Sequence, residues 1–139
     1  MTNQWIILEH PSDIGVEALG DSLKEAYQSA AEGMMSVILD VSSIQTLSEH
    51  QIHLTASDRE QLLVQWLSEI LYLYDGKGFA CGEFTITKFT QTDLESIVRG
   101  EPFDSNKHKP KLDLKAVTYH QLLVRETPDG GLVRVFFDI

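Results

Sequence analysis

Cysteine occurs once, at Cys81, in a chain of 139 residues, so an internal disulfide framework and a cysteine-rich zinc module are both excluded. A lone thiol fits a reducing compartment. Positive charge is also scarce: 11 Lys and Arg stand against 21 Asp and Glu, leaving a formal charge of −10. Binding a phosphate backbone calls for a basic patch, because neutralising phosphates releases counterions. The one basic cluster is Lys107, Lys109, Lys111 and Lys115, with His108 among them. Autonomous nucleic-acid binding is therefore not expected, whereas a basic protein would be attracted. Long apolar runs are missing as well. The first one, after Gln4, stops after four residues and follows no basic start. A secretion signal would carry a positive start and about 7–15 apolar residues, and a membrane span about 18. A soluble, cytoplasmic protein without membrane association is expected.

What is present is ordinary globular material. The 42% hydrophobic and 23% charged fractions argue against disorder, and the length suits one domain over residues 1–139. Trp5 to Glu9 reads as a strand. After the turn at Pro11-Ser12-Asp13, the alternation of Ile14, Val16 and Ala18 reads as a second. Ser22 and Glu25 have capping-box spacing, opening a helix over about Leu23 to Leu39 with Ala26, Tyr27, Ala30, Met34 and Ile38 on one face. Residues 51–55 read as a strand. Ser57 and Glu60 repeat the capping-box spacing ahead of a second helix to about Tyr74, striped by Leu62, Leu63, Trp66, Leu67, Ile70 and Leu71. Strands are then expected over Phe79 to Phe89 and Asp93 to Gly100, a polar loop over Glu101 to Pro110, and one long alternating stretch over Lys111 to Glu126. Pro128 to Gly131 is a turn signal before a strand over Leu132 to Asp138. The order ββαβα plus several strands predicts an α+β fold, a mixed or antiparallel sheet packed with two main helices.

Chemistry concentrates at few positions. The sequence stops at Asp138-Ile139, where a side-chain carboxylate and a terminal carboxylate would share one strand end. A third carboxylate would complete an oxygen-rich site for a hard cation such as Ca²⁺ or Mg²⁺. Asp13 is the candidate, although on its own it reads more readily as an Asx-turn residue, turn aspartates being common. Lys115 shares a strand face with Asp113, Val117 and Tyr119, and is either a solvated strand lysine or a donor beside carboxylates or a phosphate. His50 and His53 with one distant Cys make no zinc pattern. Cys81 reads as a small apolar residue. His10, Ser12 and Asp13 have triad residue types without triad geometry, and Gly76-x-Gly78 follows a helix, unlike a dinucleotide fingerprint. No convincing catalytic set emerges.

At these residues the sequence resembles the archease family. The similarity runs through Glu9-His10-Pro11-Ser12-Asp13-Ile14-Gly15, where the family shows a His-Thr-Ala-Asp-type motif, and through Asp58 to Leu67. It continues with Gly100 to Asp104, His108, Lys115 to His120 and the closing Asp138-Ile139. The resemblance implies an archease-like fold and a protein cofactor of an RtcB-type RNA-splicing ligase, rather than an enzyme. Such a cofactor promotes ligase guanylylation and multiple turnover in tRNA splicing or RNA repair. It also implies a bound divalent ion, commonly Ca²⁺, held by Asp13, Asp138 and the carboxylate of Ile139, with Lys115 at the position tied to ligase activation. Pro11-Ser12 stands where Thr-Ala is commoner, which alters the turn but keeps Asp13. A metal-assisted phosphoesterase and a chaperone-like binding module are the competing classes.

Overall fold

The computed structural model describes residues 4–139. Strands β1 (Gln4–Glu9) and β2 (Asp13–Gly20) form a hairpin, followed by helix α1 (Leu23–Ile38) and a 3₁₀ turn at Val41–Ser43. Strand β3 (Ser48–Thr55), helix α2 (Arg59–Asp75) and strands β4 (Phe79–Phe89) and β5 (Asp93–Pro102) come next. A short helix α3 (Ser105–His108), strand β6 (Ala116–Val117) and the hairpin β7 (Leu123–Thr127) and β8 (Gly130–Asp138) complete the chain. The architecture is α+β and every strand pair is antiparallel.

The strands divide into two sheets rather than one. The first has the order β1-β2-β8, with β6 and β7 sharing the far edge of β8; the second is β3-β5-β4. Helix α1 lies between them, touching β1, β2 and β8 on one side and β4 on the other. Its capping box forms as expected: the Glu25 N–H donates to Ser22 Oγ (3.3 Å) and the Ser22 hydroxyl donates to the Glu25 carboxylate (3.2 Å). Tyr27, Ala30, Met34, Met35 and Ile38 are buried, so the helical stripe meets apolar surface on both flanks.

Helix α2 starts one residue later than the Ser57/Glu60 spacing suggested. Asp58 is the cap, accepting from the Gln61 N–H at 2.8 Å, while the Gln61 side-chain oxygen accepts from the Ser57 N–H at 2.7 Å. Two overlapping boxes compete here, and Asp58 with Gln61 satisfies the free amides. The Tyr27 hydroxyl then donates to the Arg59 carbonyl, and the Trp66 indole N–H donates to the Tyr27 carbonyl (2.9 Å), tying the two helices together inside the core.

The expected polar loop over Glu101 to Pro110 is instead partly buried. Strand β5 runs on to Pro102, and α3 follows. His108 is fully buried; its Nδ1 accepts the Asp104 N–H (2.8 Å), so the ring proton sits on Nε2, 2.8 Å from Glu101. Glu101 also accepts from Lys107 (2.9 Å) and the Gln45 N–H (2.9 Å). These bonds hold its carboxyl down at about 2, the Lys107 bond contributing most.

The long strand expected over Lys111 to Glu126 is broken. Val117 pairs with Phe137 but Leu123 with Arg134, so six steps along this segment face three along β8. The excess forms a turn in which the Leu122 N–H donates to the Tyr119 carbonyl (3.2 Å) and Gln121 takes a positive φ of 51°. Gln121 lacks the Gly or Asn that flags such a backbone, which is why alternation alone ran through it.

Candidate functional site

Asp13 and Asp138 meet. They are direct partners in the β2–β8 register, and opposed residues on antiparallel strands project from the same face with Cβ atoms about 4.5–5.5 Å apart. The other edge of Asp138 is occupied by β6: Ala116 is its partner, and the Lys115 N–H donates to the Asp138 carbonyl at 2.8 Å. Three distant stretches of sequence thus converge on one strand end. The turn before β2 is closed by the His10 N–H donating to the Asp13 carbonyl (3.2 Å), and His10 Nδ1 lies 3.1 Å from the Asp13 carboxylate. Asp13 consequently has a fixed orientation, with its side chain only 16% exposed.

Two like charges opposed across a ladder destabilise each other. Among the described residues Asp138 has no cationic side chain paired with it, and Asp13 has only His10. The donor chemistry fits a hard cation, which takes carboxylate and carbonyl oxygens readily. Among the described residues no three His, Cys, Asp or Glu side chains converge, so a cation here needs main-chain, terminal-carboxylate or water oxygens to fill its shell. Ile139, next to Asp138 and 39% exposed, is within one residue of that pair.

One contributor was missed from the sequence. Phe136 projects on the outer face with Asp13 and Asp138, yet it is buried. Its partner across the ladder is Gly15, and a Cβ there would lie 2.7 Å from the ring. The imidazoles of His10 and His120 flank the same ring, at 4.7 Å and 5.9 Å between centroids. The legible signal is Gly15 opposite an aromatic, a pairing in which the ring covers the missing side chain. Phe136 therefore forms a small apolar platform supporting His10, and through it Asp13.

Lys115 sits in irregular backbone just before β6, so strict alternation with Asp113 does not apply there. Among the described residues its ammonium forms no ion pair. Two other members of the basic cluster are differently employed: Lys107 pairs with Glu101 (2.8 Å), and Lys111 Nζ donates to the Ser36 carbonyl near the end of α1 (3.3 Å). Cys81 is buried, and desolvation pushes its thiol up to about 12, which makes it inert. His50 packs edge-on against Phe79 (4.4 Å), while His53 lies 4.0 Å from Asp93, both in the second sheet. Among the described residues no helix is long and apolar enough to cross a membrane.

A small α+β protein with paired carboxylates on a strand end and a free lysine beside them is the class these features define. The profile of the Archease protein family matches residues 5–139, and the chain belongs to that family. It is 40% identical to protein archease of Pyrococcus furiosus over 131 residues, covering 91% of this chain and 92% of that protein. It is 35% identical to protein archease of Methanosarcina acetivorans, covering 95% and 93%. The solution structure of Methanobacterium thermoautotrophicum protein 1598 superposes with a TM-score of 0.82 at 26% identity, covering 97% of this chain and 98% of that one. The crystal structure of an archease from Thermotoga maritima, described as a possible chaperone, shares the fold at a TM-score of 0.62 and 23% identity, over 95% and 94% of the chains.

Proposed function

We propose that this chain is a non-enzymatic protein cofactor that works in the cytoplasm on an RtcB-type RNA-splicing ligase, promoting its guanylylation and repeated turnover in tRNA splicing or RNA repair. In this reading Asp13, Asp138 and the carboxylate of Ile139 hold Ca²⁺ or Mg²⁺, and Lys115 serves ligase activation. The observation that carries it is the register that sets Asp13 directly opposite Asp138, with Lys115 hydrogen-bonded through its backbone to Asp138. When bound, the cation supplies fixed positive charge beside a phosphate of the partner's nucleotide. The chain's own residues do the rest. Strands on both sides hold Asp138 in place, and His10 orients Asp13. The backbone bond of Lys115 anchors a side chain whose ammonium is free to reach a phosphate or carboxylate on another protein.

A guanylylation time course tests this directly. Ligase is incubated with GTP and divalent cation, with and without this protein, and with the variants Asp13→Asn, Asp138→Asn and Lys115→Ala. Each folded variant is expected to lose about tenfold or more of the stimulation, on the scale of disturbed metal-site contacts. Full stimulation by all three would remove the proposed tip. Turnover of nucleotide or RNA by the isolated protein would favour the phosphoesterase reading. Protection of unrelated clients from aggregation, without any effect on the ligase, would favour the chaperone one.

A further inference from the structure

Four polar side chains are buried among the described residues, Ser29, Ser96, Glu101 and His108, and the last two form a hydrogen-bonded acid and imidazole outside the carboxylate pair. They close the near end of the connection that leads to Lys115. The described residues between α3 and β6 form neither helix nor strand, so no ladder fixes their course and their anchors must. The His108 ring rests on Phe103 (5.6 Å between centroids), and Phe103 meets Tyr74 of α2 edge-on (5.4 Å). Directly after His108, Lys109 takes a φ of 37°, a left-handed backbone that a residue other than Gly adopts at a cost and keeps only where its surroundings over-determine it. Farther on, the Lys111 N–H donates to the Ile38 carbonyl (2.8 Å), Leu114 is buried, and the Lys115 N–H reaches the Asp138 carbonyl. Lys115 then shares a groove wall with Tyr72 and Asp75, from the same end of α2 that holds Tyr74.

We infer that Glu101 and His108 are positioning residues for Lys115: they hold the start of the connection in its left-handed turn and so set the course of the segment that presents Lys115 at the edge of Asp138. The coupling is mechanical. Glu101 is the shared acceptor of Lys107, His108 and the Gln45 N–H, and His108 in turn accepts the Asp104 N–H, so the four residues of α3 are fixed from both sides. Removing the Glu101 charge leaves His108 and Lys107 without their strongest partner in the interior. Lys109 then relaxes to ordinary backbone, and rotation at that one residue swings the irregular chain that follows. The same cluster explains why the basic run is not one patch: Lys107 is consumed in holding the segment that leaves Lys115 available. The inference rests on the activation role given to Lys115 above and deepens it by naming what places that side chain.

Position and activation are read separately. Amide hydrogen exchange of the full-length protein is followed residue by residue by NMR for the wild type, Glu101→Gln and His108→Gln, and for the milder Lys107→Met, which removes only the partly exposed partner. In the first two variants the Lys111 and Lys115 amides should exchange about tenfold or more faster, while amides of the β2–β8 ladder keep their wild-type rates. Lys107→Met should move the same amides by less, and it decides the matter if the buried variants do not fold. In the guanylylation assay the plateau of stimulation should fall about tenfold with the half-saturating concentration of this protein unchanged, because Lys115 is misplaced and the rest of the surface is intact. Unchanged exchange at Lys115, or a rise shared equally by the ladder amides, overturns the positioning role and leaves the ligase reading standing. A variant that raises the half-saturating concentration and keeps the plateau also overturns it. A wild type without effect on the ligase overturns the activation reading, while the exchange rates still decide whether Glu101 and His108 hold Lys115 in place.

Discussion

Asp13 and Asp138 are placed together by backbone hydrogen bonding alone, whatever their charges prefer. Opposed like charges on a ladder cost about 0.2–1 kcal/mol, and under the proposed function a bound cation would offset that cost. Asp138→Asn should therefore raise the melting temperature slightly in chelator, yet abolish the rise that Ca²⁺ is expected to give the wild type. A ligand at about one hundred times its Kd stabilises the folded state by about 2.7 kcal/mol, so the contrast is readily measured by melting with and without Ca²⁺. Equal Ca²⁺-dependent shifts in both proteins would exclude Asp138 as a ligand. At this scale the sequence was informative about residue type and silent about support. Asp13 and Asp138 were visible as carboxylates, but the packing of His10 against Phe136, with His120 edge-on to the same ring, joins positions more than a hundred residues apart. No local pattern encodes that contact.

Among the elements, the stretch from β5 through α3 carries the most consequential departure from local expectation. Polar composition over Glu101 to Pro110 pointed to a solvated loop. Instead Glu101 enters the interior because His108, Lys107 and the Gln45 N–H together satisfy its oxygens. This clasp anchors the β5 end of the connection that continues through Lys111, bonded to the end of α1, to Lys115. Its acid sensitivity follows from the Glu101 carboxyl being lowered from 4.5 to about 2. A carboxylate lowered on folding contributes stability that is complete above its unfolded value and lost as pH falls through its folded one. The wild type should thus exceed Glu101→Gln in stability at pH 7, and the difference should shrink between about pH 4.5 and 2. Urea midpoints across that range measure it; a difference independent of pH would show that Glu101 contributes by shape rather than charge. Helix caps and apolar stripes were readable because their partners lie three or four residues away. The clasp was not, since Gln45 and Glu101 are 56 residues apart.

For the whole molecule, alternation tells which residues of a strand share a face but not which strand lies beside it. The α+β class could be read from element order, whereas the division into two sheets could not. That division matters because α1 serves both. Trp5 of the first sheet packs over Gly33 of α1, where an added Cβ would lie 3.2 Å from the indole. Trp66 of α2 donates its indole N–H to Tyr27 of α1 and lies edge-on to Phe84 of the second sheet, 6.2 Å between centroids. Neither sheet can lose its packing without exposing an apolar face of the helix on which the other also rests. Unfolding should accordingly be cooperative across both. With Trp66→Phe leaving Trp5 to report on the first sheet, and Trp5→Phe leaving Trp66 to report on α2 and the second, fluorescence and far-UV circular dichroism of each variant should give coincident urea transitions. The two variants can differ in midpoint, since each loses a different packing contact, so the test lies in the agreement of probes within each protein. A fluorescence midpoint that separates from the dichroism midpoint in either variant would mean that one sheet melts while α1 remains held by the other.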